Sequence, residues 1–183
     1  MKMLVHRTVD SAELPFVLDN VKLHLRVSDD AEDGAIQNMA LTAAAEIEQF
    51  AQIALLHQTI RVTVFDPTPN EYAFNLPVGP VADDAPPTVT LDGEAFTAFD
   101  FVGGKRPYIR WLADYHDLTP DRMTIEYQAG FGADASAIPA DLAQALMDQA
   151  ALHYDGRSPM DAKSLTTSPH MARVGARYRG AKV

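Results

Sequence analysis

Between Ile36 and Ala54 the apolar side chains recur at the three-four spacing of one helical face, and five residues later the spacing drops to two. The helical stripe is Ile36, Met39, Ala40, Ala43, Ala44, Ile47, Phe50 (or Ala51) and Ala54. It is mostly alanine, so a second helix can approach it closely. From Thr59 to Phe65 the run Thr-Ile-Arg-Val-Thr-Val-Phe alternates and is β-branched, the pattern of a half-buried strand. Helical and strand periods stay in separate blocks along the rest of the chain as well. Asp19 offers a cap to a short helix over 20–26, and the acids at 29–33 suit the positive end of a helix that begins near Ala31. Glu71–Leu76, Thr88–Leu91 with the turn Asp92-Gly93, Phe99–Val102 with Gly103-Gly104 and Tyr108–Leu112, and Arg122–Gln128 read as strands and hairpins. Pro77–Pro87 reads as a surface loop. Pro139 then stands at a first helical position, and Leu142, Ala145, Leu146, Gln149 and His153 share a face that runs to Gly156. Such segregation predicts an α+β fold. The expected body spans 1–155, a helical bundle (helices 19–26, 31–54 and 139–155) with a β-rich insertion at 56–128. An extended C-terminal tail spans 156–183.

The chain has 183 residues, 47% of them apolar, enough for one core with an appendage. It contains no cysteine, which excludes disulfides, thiolate nucleophiles and cysteine-ligated metals. No apolar run approaches the ~20 residues that span a bilayer, so no membrane partner is expected. The first residues, MKMLVHRTVDSAELPF, lack the long apolar stretch of a secretion signal and read as mature and soluble. His6, His24, His57, His116, His153 and His170 show no metal-ligand spacing, and scattered packing or surface roles are expected for them. The acids Asp29, Asp30, Glu32 and Asp33 lack the glycine and terminal glutamate of a calcium loop; compensation of the helix dipole accounts for them. Gly103-Gly104-Lys105 and Gly130-Phe131-Gly132 are fragments too short to cradle phosphate. No nucleophile elbow is present. No catalytic, metal or cofactor site is expected.

Charge divides the chain. Residues 156–183 hold six bases (Arg157, Lys163, Arg173, Arg177, Arg179, Lys182) and one acid, Asp161, whereas residues 1–155 hold nine bases and 24 acids. The acidic body repels nucleic acid and anionic lipid. Extended, the segment from Met171 to Arg179 would project Arg173, Arg177 and Arg179 to one side and Tyr178 to the other. Three readings of it stand: a solvated terminus, a segment that orders on an acidic protein partner with Arg and Tyr as anchors, or sequence-independent nucleic-acid binding, for which four basic residues beyond Lys163 make a weak patch.

Two stretches carry a resemblance. The first is Val17-Leu18-Asp19-Asn20-Val21-Lys22-Leu23-His24-Leu25-Arg26-Val27 followed by Asp29-Asp30-Ala31-Glu32-Asp33-Gly34-Ala35-Ile36. The second is Met123-Thr124-Ile125-Glu126-Tyr127-Gln128-Ala129-Gly130-Phe131-Gly132, then Ile138-Pro139-Ala140-Asp141-Leu142 and His153-Tyr154 with Arg157. Together they resemble the head-tail connector (adaptor) proteins of long-tailed phages, prophages and phage-like gene transfer agents. Gly34 departs from the pattern, where a better helix former is expected.

The resemblance implies a non-enzymatic structural protein of the virion or gene transfer agent particle, placed at the head-tail interface and assembled in the bacterial cytoplasm. It would form a ring of twelve copies beneath the portal protein. It would present a platform to the next tail-proximal (stopper or head-completion) protein, and leave a channel through which DNA passes without specific binding. By position at the end of the chain, Arg173, Arg177, Tyr178 and Arg179 would be the portal-docking residues. Deleting 170–183 is then expected to leave the body folded and abolish incorporation. The competing classes are a small enzyme with an unrecognised site and a nucleic-acid-binding accessory protein that uses the basic tail.

Overall fold

In the computed structural model, which describes residues 2–68, 72–157 and 167–179, the strand periods build one compact unit and the helical periods another. Asp161, Lys163 and Lys182 of the basic tail lie outside the described residues.

The first unit comprises Met1–Asp10 and His57–Gly130. Its main sheet is antiparallel, in the order β1 (Lys2–Val9), β2 (Gln58–Phe65), β8 (Arg122–Ala129), β4 (Thr88–Leu91), β5 (Glu94–Phe96). Alternation works as expected on β2 and β8. Ile60, Val62, Val64, Met123, Ile125 and Tyr127 are buried on one face, while Thr59, Arg61, Thr63, Thr124 and Glu126 line the other. The β4–β5 turn uses Asp92 and Gly93, both at positive φ (51° and 95°), the two-residue geometry that suits a twisted hairpin. The Asp92 carboxylate also accepts the backbone N–H groups of Asp121 and Arg122, which ties the turn to the start of β8. A second sheet, in the order β3 (Ala73–Asn75), β7 (Tyr108–Trp111), β6 (Phe99–Val102), is followed by one turn of helix, α3 (Ala113–His116). Phe96 on β5 contacts Trp111 on β7, and Trp111 stacks on Tyr115 at 4.4 Å, so aromatic rings link the two sheets. The Gly103-Gly104 segment is a hairpin turn. Gly104 pairs with Val81, and the Gly103 N–H donates to Asp83 at 2.9 Å.

The second unit comprises Ser11–Leu56 and Phe131–Val183. It holds α1 (Leu18–Leu25), α2 (Asp33–Ala51), α4 (Ala140–Asp155) and α5 (Pro169–Tyr178). Its core takes Ile36, Ala40, Ala43, Ala44 and Ile47 from α2 and Leu142, Ala145, Leu146 and Ala150 from α4. The alanine stripe does meet helices, packing against both α4 and α5.

Three expectations change. The β-rich part is not a simple insertion, because β1 at the start of the chain completes its sheet by pairing along all of β2. The segment 169–178 is helical rather than extended. The described residues 167–179 belong to the helical unit's core instead of standing apart from it. The physical reason is a complete set of helix signals. Ser168 caps by accepting the Met171 N–H at 2.9 Å, Pro169 sits in the first turn, and Met171, Val174 and Tyr178 form a buried stripe.

The acidic cluster at 29–33 does more than complement a helix dipole. The buried Lys22 on α1 reaches Asp30 and Asp33 at 2.5 and 2.6 Å. Glu32 accepts from the Tyr154 hydroxyl at 2.6 Å and from Arg157 at 3.0 Å, both at the end of α4. The hydrogen bond and charge of Lys22 hold the Asp30 carboxyl below its ordinary range. The Tyr154 hydroxyl and then Arg157 do the same for Glu32, and the two aspartates hold the Lys22 ammonium above its usual value. Depressed carboxylates stabilise fully above their unfolded values, about pH 4, and lose that contribution as pH falls through their lower folded values; a raised ammonium loses its own only as pH rises past its folded value. Lys22→Met is therefore expected to lower the urea midpoint at neutral pH. It should also make the midpoint fall less steeply on acidification, since Asp30 no longer has a partner to lose. Urea titrations at several pH values check both effects.

Candidate interaction surfaces

The C-terminal basic residues are positioned by what α5 buries. Gly175 faces Phe50 of α2 so closely that an added Cβ would lie 2.5 Å from its ring. The Tyr178 ring meets Phe131 edge-on at 6.1 Å, and its hydroxyl donates to Asp141 on α4 at 2.9 Å. Burial and then the bond to Asp141 push the Tyr178 hydroxyl up to about 12. Tyr178 is therefore an internal anchor of α5 and not an exposed docking side chain, which corrects the role expected of it. Arg177 pairs with the other oxygen of Asp141 at 3.2 Å, and Arg179 lies over the Phe50 ring at 5.8 Å. Arg173 and Arg177, one helical turn apart, are exposed on the face opposite the buried stripe. Two of the four candidates thus share an open helix face, Arg179 follows at its end, and Tyr178 points inward.

A polar network, not legible as a motif, holds α5 in place. Gln149 on α4 is buried; its amide donates to Glu46 of α2 at 2.8 Å, and its carbonyl accepts the Ser168 N–H at 2.7 Å. His153 meets the same Glu46 at 3.0 Å. His170 and His24 both meet Asp148, at 2.5 and 3.1 Å, so one α4 carboxylate joins α5 and α1. Three of the histidines expected to be scattered are therefore gathered on two carboxylates. The helical spacing of Gln149 and His153 is legible in the sequence; their partners, and the role of Asp148, are not. Among the described residues, no group of three or more His, Asp or Glu is arranged to hold a metal ion.

Other surfaces are open. An apolar groove between α1 and α4 is lined by Val17, Asn20, Val21, Ala143 and Met147, and Leu23 of α1 is 77% exposed beside it. In the sheet unit, the polar face carries Thr63, Thr88, Thr90 and Thr124 around the Arg61–Glu126 ion pair at 2.8 Å. No described helix is long and apolar enough to cross a membrane.

Gly175→Leu should unseat α5 at a cost of about 1–3 kcal/mol, since the larger side chain has no room against Phe50. Ala176→Leu on the exposed face should stay within about 0.5 kcal/mol of the parent. Hydrogen exchange would report the difference as faster exchange of the 171–178 amides in the first variant, with β2 and β8 unchanged.

No family model matches the chain, and no curated protein matches it. Solved structures do. A chain of the virion of a native gene transfer agent particle is 27% identical, with a TM-score of 0.75, over 98% of this chain and 97% of that one. A chain from the neck of an empty gene transfer agent particle, computed with C6 symmetry, is 26% identical with a TM-score of 0.73 over the same shares. A chain from the neck of the native particle, computed with C12 symmetry, is 25% identical with a TM-score of 0.72, again over 98% and 97%. The likeness spans both units of the fold.

Proposed function

We propose that this chain is a structural protein of the neck of a gene transfer agent or phage-like particle. Within that neck it acts as the head-tail adaptor: a ring of about twelve copies beneath the portal, open at its centre for DNA, offering a platform to the next tail-proximal protein. The observation that carries the reading is the near full-length likeness to chains of such particles and necks, in which neither chain has a large part left over. The pair of sequence motifs at 17–36 and 123–157, which resembles the head-tail adaptors, supports the finer reading. The titratable groups with displaced pKa values also fit a scaffold. Lys22, Asp30, Glu32, Tyr154, Arg157 and Tyr178 each hold one helix to another or to the chain beside it.

Portal docking we assign to the solvent face of α5, through Arg173, Arg177 and Arg179, with Tyr178 holding the helix from within. An exposed guanidinium pair one turn apart suits an acidic protein surface. Truncation is a poor test of this assignment, because removing 170–183 strips Met171, Val174 and Tyr178 from the core and would unfold more than the contact. The triple variant Arg173→Glu, Arg177→Glu, Arg179→Glu is the cleaner one.

Particles made without this chain are expected to be filled heads lacking tails, and electron microscopy of particles carrying a tagged chain should place the label at the neck. The triple glutamate variant should fold, by circular dichroism, and fail to enter particles. Label found elsewhere in the particle would overturn the neck assignment, and normal incorporation of the triple variant would overturn the docking face.

A further inference from the structure

The two outer edges of the five-stranded sheet are unlike each other and complementary. At one end lies β1, eight residues long, with Met3 44%, Leu4 53% and Val9 67% exposed. Met3, Val5 and Val9 lie on the side that carries Val62 and Val64 of β2, and Leu4 lies on the other among Lys2, His6 and Thr8. Among the described residues no strand pairs with its outer edge. A long, exposed, apolar edge strand is a site for further pairing unless something covers it. Its charged and titratable residues are Lys2, His6 and Arg7, with no acid.

At the other end lies β5, with its outer edge also unpaired among the described residues. Beside it runs an open groove of about 350 Å³ lined by Leu91, Asp92, Glu94, Phe96 and Leu118 among others. The lining carries two acids and no base, and its floor is apolar. One edge is therefore basic and apolar, the other acidic and apolar, and both belong to the same sheet.

We propose that these edges are the two halves of the contact between neighbouring copies: β1 of one copy seats along β5 and the Leu91–Phe96–Leu118 groove of the next. This rests on the ring reading above and names the surface that closes the ring. Rings of more than two identical chains need a heterologous contact, in which two different patches of one subunit meet the complementary patches of its neighbours. The necks that this chain is similar to have cyclic symmetry. A two-fold contact of β1 with β1 would set bases against bases with no acid between them, and would end at a dimer. Meeting β5 instead brings a strand whose charged residues are all basic to the acidic rim at Asp92 and Glu94, and sets the outer edge of β1, which no described strand covers, along another strand edge.

Because the chain has no cysteine, the contact can be read by cross-linking. Leu4→Cys and Ala95→Cys place thiols on exposed positions of β1 and β5 and leave the core untouched. Assembled particles carrying both substitutions, treated with a short bismaleimide, should give a ladder of covalent multimers on a denaturing gel. Particles mixing the two single variants should give dimers only, and neither single variant by itself should cross-link. Dimers from Leu4→Cys alone would show a two-fold β1 contact and overturn the proposal. A doubly substituted chain that stays monomeric on the gel, while microscopy shows it in a normal neck, would overturn the edge contact and leave the ring reading standing. A chain absent from the neck would remove the ring reading and this interface together.

Discussion

Alanine and glycine at the contact of α2 with α4 and α5 set the distance on which the helical unit depends. Ala40, Ala43 and Ala44 present almost no side chain, and Gly175 presents none where Phe50 presses against it. Helices that meet on small residues approach closely, and dispersion between backbones and flanking large side chains then replaces the missing volume. The large residues sit around the stripe: Ile36 and Ile47 on α2, Leu142 and Leu146 on α4, Met171 and Tyr178 on α5. Each larger substitution at the seam pushes apart a pair of elements rather than filling a gap.

Close approach also brings polar side chains out of water, and these are met. Gln149 is almost fully buried, and unsatisfied it would cost about 1–3 kcal/mol. It is satisfied on both sides, by Glu46 and by the backbone of Ser168, whose own hydroxyl caps α5. The cap, the amide and the carboxylate form one chain of bonds from α2 through α4 to α5. Networks of this kind specify a single arrangement as much as they stabilise it. They are the reason the basic C-terminal segment, through its described residues, is a docked helix whose arginines face outward from a fixed frame.

How much of this was readable depended on whether a residue's partner was close in sequence. The α2 stripe, the β2 and β8 alternation and the Asp92-Gly93 turn are local patterns, and each element appeared within one to three residues of its expected bounds. Strand β1 is not legible, because Lys2-Met3-Leu4-Val5-His6-Arg7-Thr8-Val9 is exposed on both faces and so has no buried period. Helix α5 escapes a local reading because Arg173, Arg177 and Arg179 read as the charge run of a solvated terminus, with Gly175 in their midst. Only the position of Phe50 explains the glycine. Lys22 with Asp30 and Asp33, or His24 and His170 on Asp148, join residues from separate elements, and no spacing rule anticipates them. Of the candidate site, the arginines were legible as charge, and the inward turn of Tyr178 was not.

The exposure of β1 then has a thermodynamic reading. Full burial of an aliphatic side chain is worth roughly 1.5–3 kcal/mol, and the apolar residues of β1 are already about half buried. One edge contact therefore gains a few kcal/mol at most before the cost of association, too little to hold two free chains together at ordinary concentration. A ring changes the arithmetic, because its last contact is intramolecular and both edges of every copy are covered at once. Docking through α5 on a partner of cyclic symmetry, as proposed, would add a second restraint, since copies held there would meet their neighbours at high effective concentration. In the proposed ring, marginal edges and a separate docking helix would keep single chains apart until a template gathers them, and the ring would be held by the sum of contacts none of which is strong alone.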